Sequence, residues 1–107
     1  LWFGAGVVAP GTGIVLNNEM DDFASAPGVP NAFGLVGSEA NAIAPRKTPL
    51  SSMTPTIVTE NNALRMVVGA PGGSTIITTV LQIILNVLVY DLDAKQAIAA
   101  PRLHQQW

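Results

Sequence analysis

The stretch from Val67 to Tyr90, VVGAPGGSTIITTVLQIILNVLVY, decides the fold class. It begins as the end of a strand-like run, breaks at Pro71-Gly72-Gly73-Ser74, and continues with helical periodicity. The polar residues Thr75, Thr79, Gln82 and Asn86 recur three or four apart and form one narrow stripe. The rest of the circumference is Ile, Val and Leu, so the pattern predicts a helix over 74–89, buried on most sides. Its many β-branched residues disfavour a helix mildly, but length and stripe decide against a strand. Upstream, Thr54 to Thr59 and Leu64 to Gly69 read as strands, and Glu60-Asn61-Asn62 supplies turn chemistry, so a β-hairpin is expected. Downstream, Asp93 is a good N-cap for a second helix reaching Ala99, ahead of Pro101. Two strands followed by helices on one face predict an α/β (α+β) layered architecture.

The first half is less regular. Residues 1–13 are glycine-rich, with Val7-Val8 as one short strand and Gly13 to Leu16 as another. The second runs into the polar cluster Asn17-Asn18-Glu19-Met20-Asp21-Asp22. From Ser25 to Pro49, prolines 27, 30, 45 and 49 and glycines 28, 34 and 37 exclude a helix or a central strand. Long structureless segments inside a domain are often lids or binding loops. The apolar Val29, Phe33, Leu35, Val36 and Ile43 point to a loop that docks on something.

Composition narrows the function classes. The 107 residues fit one domain. Hydrophobic residues make up 49% and charged residues 11%, against roughly a quarter in a typical soluble domain. So few charges for so small a domain suggest a surface largely covered by other protein. The apolar ends, Leu1-Trp2-Phe3 and Trp107, suggest a piece of a larger fold. Five basic against seven acidic residues, a net charge of −2, exclude an electrostatic nucleic-acid binder. There is no cysteine, hence no disulfide or thiolate metal site. No targeting peptide is visible. The apolar run Ile76 to Tyr90, about 15 residues, is shorter than the roughly 20 that span a membrane. A soluble protein is expected.

Three clusters carry possible chemistry. Backbone N–H groups at Gly72 and Gly73 open a helix, where they lack intrahelical acceptors and sit at the positive end of its dipole. They form either an anion or oxyanion site or a tight turn. A phosphate loop is excluded by the absence of the following Lys. Ser51-Ser52 either bind a carboxylate or cap a local turn, with no nucleophile elbow around them. Glu19, Asp21 and Asp22 are either a solvated turn or a site for a cation such as a substrate ammonium, and they lack the spacing of a calcium loop. His104, the single histidine, cannot make a zinc site and is expected in a structural hydrogen bond. No metal or cofactor is called for.

The segments GIVLNNEMDDF (13–23), PGVPNAFGLVG (27–37), PLSSMTPTIV (49–58), VVGAPGGSTIITTVLQ (67–82) and APRLHQQW (100–107) together resemble one family. They look like the small, catalytic subunit of bacterial γ-glutamyltransferases (γ-glutamyltranspeptidase, glutathione hydrolase), in the right order over nearly all of the chain. The resemblance implies an N-terminal nucleophile hydrolase with a four-layer αββα fold. Such a protein is made as one precursor that cleaves itself into two subunits, and the new N-terminal threonine of the small subunit becomes the nucleophile. Residues 1–107 would be the central part of that subunit, partnered by the rest of it and by the large subunit. A periplasmic or secreted location is implied as well.

Carried over by position, the resemblance assigns Glu19 and Asp22 to the α-amino group of a γ-glutamyl substrate. Ser51 and Ser52 would take its α-carboxylate, with an arginine of the large subunit. The N–H groups of Gly72 and Gly73 would form the oxyanion hole, and the loop from about Pro27 to Ser38 would be the lid, with Phe33 at its centre. The implied reaction is ping-pong acyl transfer to water, an amino acid or a dipeptide, without a cofactor. Two departures stand out. The family's nucleophilic threonine would lie upstream of residue 1, so the 107 residues alone are expected to be inactive. Phe33 replaces the tyrosine of many members, keeping the apolar plug without the hydroxyl that tethers the lid. A cephalosporin or glutaryl acylase, a poly-γ-glutamate capsule depolymerase, or a non-catalytic structural piece are the other readings.

Overall fold

The computed structural model describes residues 2–106, with the side chains of Trp2 and Phe3 outside that description. The apolar termini Leu1 and Trp107 therefore lie beyond the described residues. The chain divides after Ser51 into two compact units, Leu1–Ser51 and Ser52–Trp107. Its secondary structure is a small α+β set of short strands and two α-helices.

In the first unit, strand β1 covers Trp2–Ala5. The chain then turns back at Pro10-Gly11-Thr12-Gly13, where the Thr12 hydroxyl and N–H both donate to the Ala9 carbonyl (2.9 and 3.2 Å). Bonds from Ala5 N–H to Leu16 C=O and from Leu16 N–H to Val7 C=O (both 2.8 Å) zip the arms together. The expected strands at 7–8 and 13–16 are reduced to a single antiparallel bridge, Val8↔Val15. Left-handed glycines at 4, 6, 11 and 13 interrupt regular pairing on both arms. Residues Glu19–Asp22 then form one 3-10 turn. The segment after it holds no strand or α-helix, as its prolines require, only a second 3-10 turn at Glu39–Asn41 and isolated bridges Ala24↔Ala42 and Pro30↔Val36. Among the described side chains of this unit, Phe23 and Ala24 are the buried hydrophobics.

In the second unit, β2 (Thr56–Glu60) pairs antiparallel with β3 (Ala63–Val68). The turn is tighter than the sequence suggests. Asn61 and Asn62 both adopt positive φ (50° and 63°), which closes the hairpin in two residues and lets Glu60 join the strand. A bulge lies between Val58 and Thr59. A 3-10 turn at Gly73–Thr75 then leads into α1, Ile76–Leu88, and α2 follows at Ala94–Ala99. Asp93 caps α2 as expected, in a full capping box with Gln96 (2.8 and 3.1 Å).

The helix α1 packs against α2 and β3, with Val80 and Ala97 at 2% and 0% exposure between them. Burial along α1 is narrower than its sequence predicts. Ile76, Val80 and Ile83 are buried, whereas Ile77, Leu81, Leu85 and Leu88 form an exposed apolar stripe. Two helices and one hairpin present too little surface to cover a helix that is apolar nearly all round. Thr78, one turn before Gln82, widens the expected polar stripe at one edge. Gln82 holds Leu103 by both its N–H and its C=O (2.8 and 2.7 Å), and Thr78 Oγ1 meets His104 Nδ1 at 3.0 Å. His104 thus has the structural role expected of it. Among the described residues, no helix is long and apolar enough to cross a membrane.

Candidate functional site

In the first unit, the 3-10 turn at Glu19–Asp22 brings two of the three clustered carboxylates together. The turn starts from Asn17, whose side chain accepts from the Glu19 N–H (3.1 Å) in an Asx arrangement. One 3-10 turn eclipses residues i and i+3, so the Glu19 and Asp22 side chains share a face. A hydrogen bond between their carboxyls, then partial desolvation and like-charge repulsion from Asp22, raise the Glu19 pKa above its ordinary 4.5. Two carboxyls on one face of a partly exposed turn form a site that a cation can claim. Asp21 does not join the pair. Its Oδ2 is buried, with no hydrogen-bond partner among the described residues.

The expected lid is a closed loop. The Gly28 N–H donates to the Gly37 carbonyl (3.1 Å) at its base. A Cβ on Gly37 would come within 2.5 Å of the Ala24 Cβ, so only glycine allows the base to sit this close to the buried Phe23-Ala24 pair. At the tip, Asn31 Oδ1 accepts from the N–H groups of Phe33 and Leu35 (2.9 and 3.0 Å), and the Asn31 C=O accepts from Gly34 (2.9 Å). This folds the tip around Asn31 and leaves Phe33 44% exposed. Asn31 Nδ2 reaches the Asp21 carbonyl (3.4 Å), tying the loop to the acidic turn. The sequence reading missed Asn31, although Pro-Asn-x-x-Gly at 30–34 is a recognisable turn signal.

The serine pair straddles the division between the units. Ser51 closes the first and is exposed, and Ser52 opens the second and is half-buried, its carbonyl accepting from the Thr54 hydroxyl (2.9 Å).

In the second unit, the turn before α1 fixes two amides. Gly72 and Gly73 both have positive φ (134° and 57°), conformations that side-chain-bearing residues rarely adopt. The Gly72 carbonyl accepts from the N–H and the hydroxyl of Thr75 (3.2 and 2.8 Å), and the Gly73 carbonyl accepts from Ile76 N–H. A trans peptide points its C=O and N–H in opposite directions. Anchoring the Gly72 carbonyl into the turn therefore aims the Gly73 N–H outward. No described residue accepts from the N–H of Gly72 or Gly73. Neighbouring donors held at a helix start by backbone geometry suit an anion or a developing oxyanion.

Comparison with known proteins agrees across the whole length. The gamma-glutamyltranspeptidase family model matches residues 1–107. A glutathione hydrolase proenzyme of a Pseudomonas species is 58% identical over 106 residues, covering 99% of this chain. The chain spans 18% of that relative's length. Among solved structures, a mutant gamma-glutamyltranspeptidase of Helicobacter pylori superposes with a TM-score of 0.86 at 57% identity, over 98% of this chain and 56% of the other. An acivicin-inhibited gamma-glutamyltranspeptidase, described for the roles of its C-terminus in autoprocessing and catalysis, matches with the same TM-score, identity and coverage. With residues 1–107 matched by the family model and the relatives just named 57–58% identical over nearly all of them, the chain belongs to the gamma-glutamyltranspeptidase family.

Proposed function

We propose that this chain supplies the substrate-holding and oxyanion-stabilising groups of an enzyme that transfers γ-glutamyl groups and hydrolyses glutathione and related compounds. It would act within a larger self-processing precursor, as the central part of a small subunit with a four-layer αββα core. Its partners would be the large subunit and the remainder of the small one, in a periplasmic or secreted setting. The observation that carries the reading is the 3-10 turn that sets Glu19 and Asp22 on one face, in a chain with only seven acidic residues.

The chemistry follows from the groups. Glu19 and Asp22 take the substrate's α-ammonium, whose positive charge offsets two adjacent carboxylates. The hydroxyls and amides at Ser51 and Ser52 take the α-carboxylate. With the head group held at both charges, the γ-amide carbonyl is presented to a threonine nucleophile supplied by the rest of the precursor, activated by its own α-amine. Attack converts the planar carbonyl into a tetrahedral oxyanion, stabilised by the Gly72 and Gly73 N–H groups. Collapse expels the amine and leaves a γ-glutamyl ester. Water or an acceptor amine then attacks, through a second oxyanion at the same donors. Phe33 covers the acyl group with an apolar edge, without a hydroxyl tether.

The test is competition between glutathione and a glutaryl amide for the processed enzyme. A γ-glutamyl enzyme prefers glutathione, because only that substrate brings the ammonium. Equal or better use of the glutaryl amide would make it an acylase instead.

A further inference from the structure

The acidic turn and the chain leading into Ser51 belong to the same unit and are joined by one side chain. Asn41, in the Glu39–Asn41 turn, donates from Nδ2 to the Asp22 backbone carbonyl (2.6 Å) and accepts at Oδ1 from the Leu50 N–H (3.0 Å). Its own N–H donates to the Ser38 carbonyl (3.0 Å), and its carbonyl accepts from the Ala24 N–H (2.9 Å). The peptides around it are pinned in turn, since Lys47 Nζ donates to the Ala40 and Ala42 carbonyls (2.7 and 2.9 Å) and Ala24 bridges Ala42. A primary amide is the side chain that suits this place. It offers a donor at one end for a carbonyl and an acceptor at the other for an N–H, on a short rigid plane.

On the reading that Asp22 meets the ammonium and Ser51 the carboxylate, we infer that Asn41 is a positioning residue that sets the spacing between the two subsites. A ligand carrying both charges on one carbon then satisfies both at once, and the site selects α-amino acid head groups rather than either charge alone. Only the connection between the subsites depends on Asn41. Each subsite keeps its own donors and acceptors when the amide is removed.

The experiment uses the full processed protein and competitive inhibition by three probes. L-Glutamate carries both head-group charges, glutarate lacks the ammonium, and 4-aminobutanoate lacks the α-carboxylate. Asn41→Ala should raise the inhibition constant of glutamate about five- to tenfold, the worth of one or two hydrogen bonds, and those of the single-charge probes by less than about twofold. Asn41→Asp keeps the acceptor for Leu50 and removes the donor to Asp22, so it should show the same selective loss. It decides the question by itself if the alanine variant fails to fold or process. A uniform weakening of all three probes, or no change in any, would overturn the positioning role. The reading beneath it fails separately, if Asp22→Asn leaves glutamate inhibition unchanged. A normal Asp22 effect with an unmoved Asn41 selectivity ratio overturns the positioning role alone.

Discussion

Replacing Gly72 with alanine perturbs the oxyanion donors through a single methyl group. That methyl would lie 2.5 Å from Thr75 Oγ1, well inside van der Waals contact, at a φ of 134° that alanine rarely adopts. The Thr75 hydroxyl is also one of the two groups holding the Gly72 carbonyl. The turn must therefore either push Thr75 aside, losing that 2.8 Å bond, or rotate the peptide between Gly72 and Gly73. Rotation re-aims the Gly73 N–H, which rides on the same plane. Forcing a residue into such a conformation costs about 1–3 kcal/mol of stability. Misdirecting one oxyanion donor costs about 10²- to 10³-fold in kcat. The oxyanion exists only in the transition state, so kcat should fall while KM changes little. The assay is steady-state turnover of a γ-glutamyl anilide by the full-length variant, after gel analysis confirms complete processing. Thr75→Ala makes a useful partner, since it removes the clash and one anchor together. Combined with Gly72→Ala it should relieve the clash but not the backbone strain at φ 134°, so thermal stability stays below wild type and kcat is not recovered. A fully processed Gly72→Ala enzyme with near-normal kcat would refute the reasoning and leave the turn purely structural.

Three other outcomes are expected. Because the Glu19 pKa is raised, protonation of Glu19 competes with a substrate ammonium, so KM for γ-glutamyl substrates should climb as pH falls through that pKa. Glu19→Gln should flatten this limb of the KM–pH profile, and an unchanged limb would place the titrating group elsewhere. For folding the sign is opposite. The stability linked to protonated Glu19 is present below its ordinary pKa and lost as pH rises through its raised one, so a thermal melting series on Glu19→Gln should lose that downward step. Asp93→Ala removes the capping box of α2 and should cost about 1 kcal/mol, read as a lower melting temperature with unaltered kcat and KM.

Legibility along the sequence followed how local the determinants are. The hairpin, α1 and α2 were readable because periodicity, turn residues and caps act within a few positions; Asp93 and Gln96 are three apart. The hairpin boundaries shifted because two consecutive asparagines tolerate left-handed backbone, so the loop closed on two residues. The 25–49 segment was legible as non-helical, but its conformation was not. Asn41 bonds to Asp22 and Leu50, 19 and 9 residues away, and no local pattern signals such partners. At the candidate site, the acidic cluster was legible as a cluster, but the 3-10 turn that pairs Glu19 with Asp22 and buries an Asp21 oxygen was not. The exposed stripe on α1 has a similar origin. The sequence shows a helix apolar on most sides, but which of those sides the chain's own elements cover is not a local property.

The central claim is that Asp22 recognises the substrate's α-ammonium, and the most direct measurement is a two-by-two cycle of kcat/KM. Wild-type and Asp22→Ala enzymes, both fully processed, are compared on a γ-glutamyl anilide and on the glutaryl anilide that lacks only the amino group. A charge-assisted hydrogen bond is worth about 1.5–3 kcal/mol, so the variant should lose roughly 10- to 150-fold on the γ-glutamyl substrate. It should lose little on the glutaryl one, so that the preference of wild type for the amino group collapses. Equal losses on both substrates, or none on either, would contradict the account.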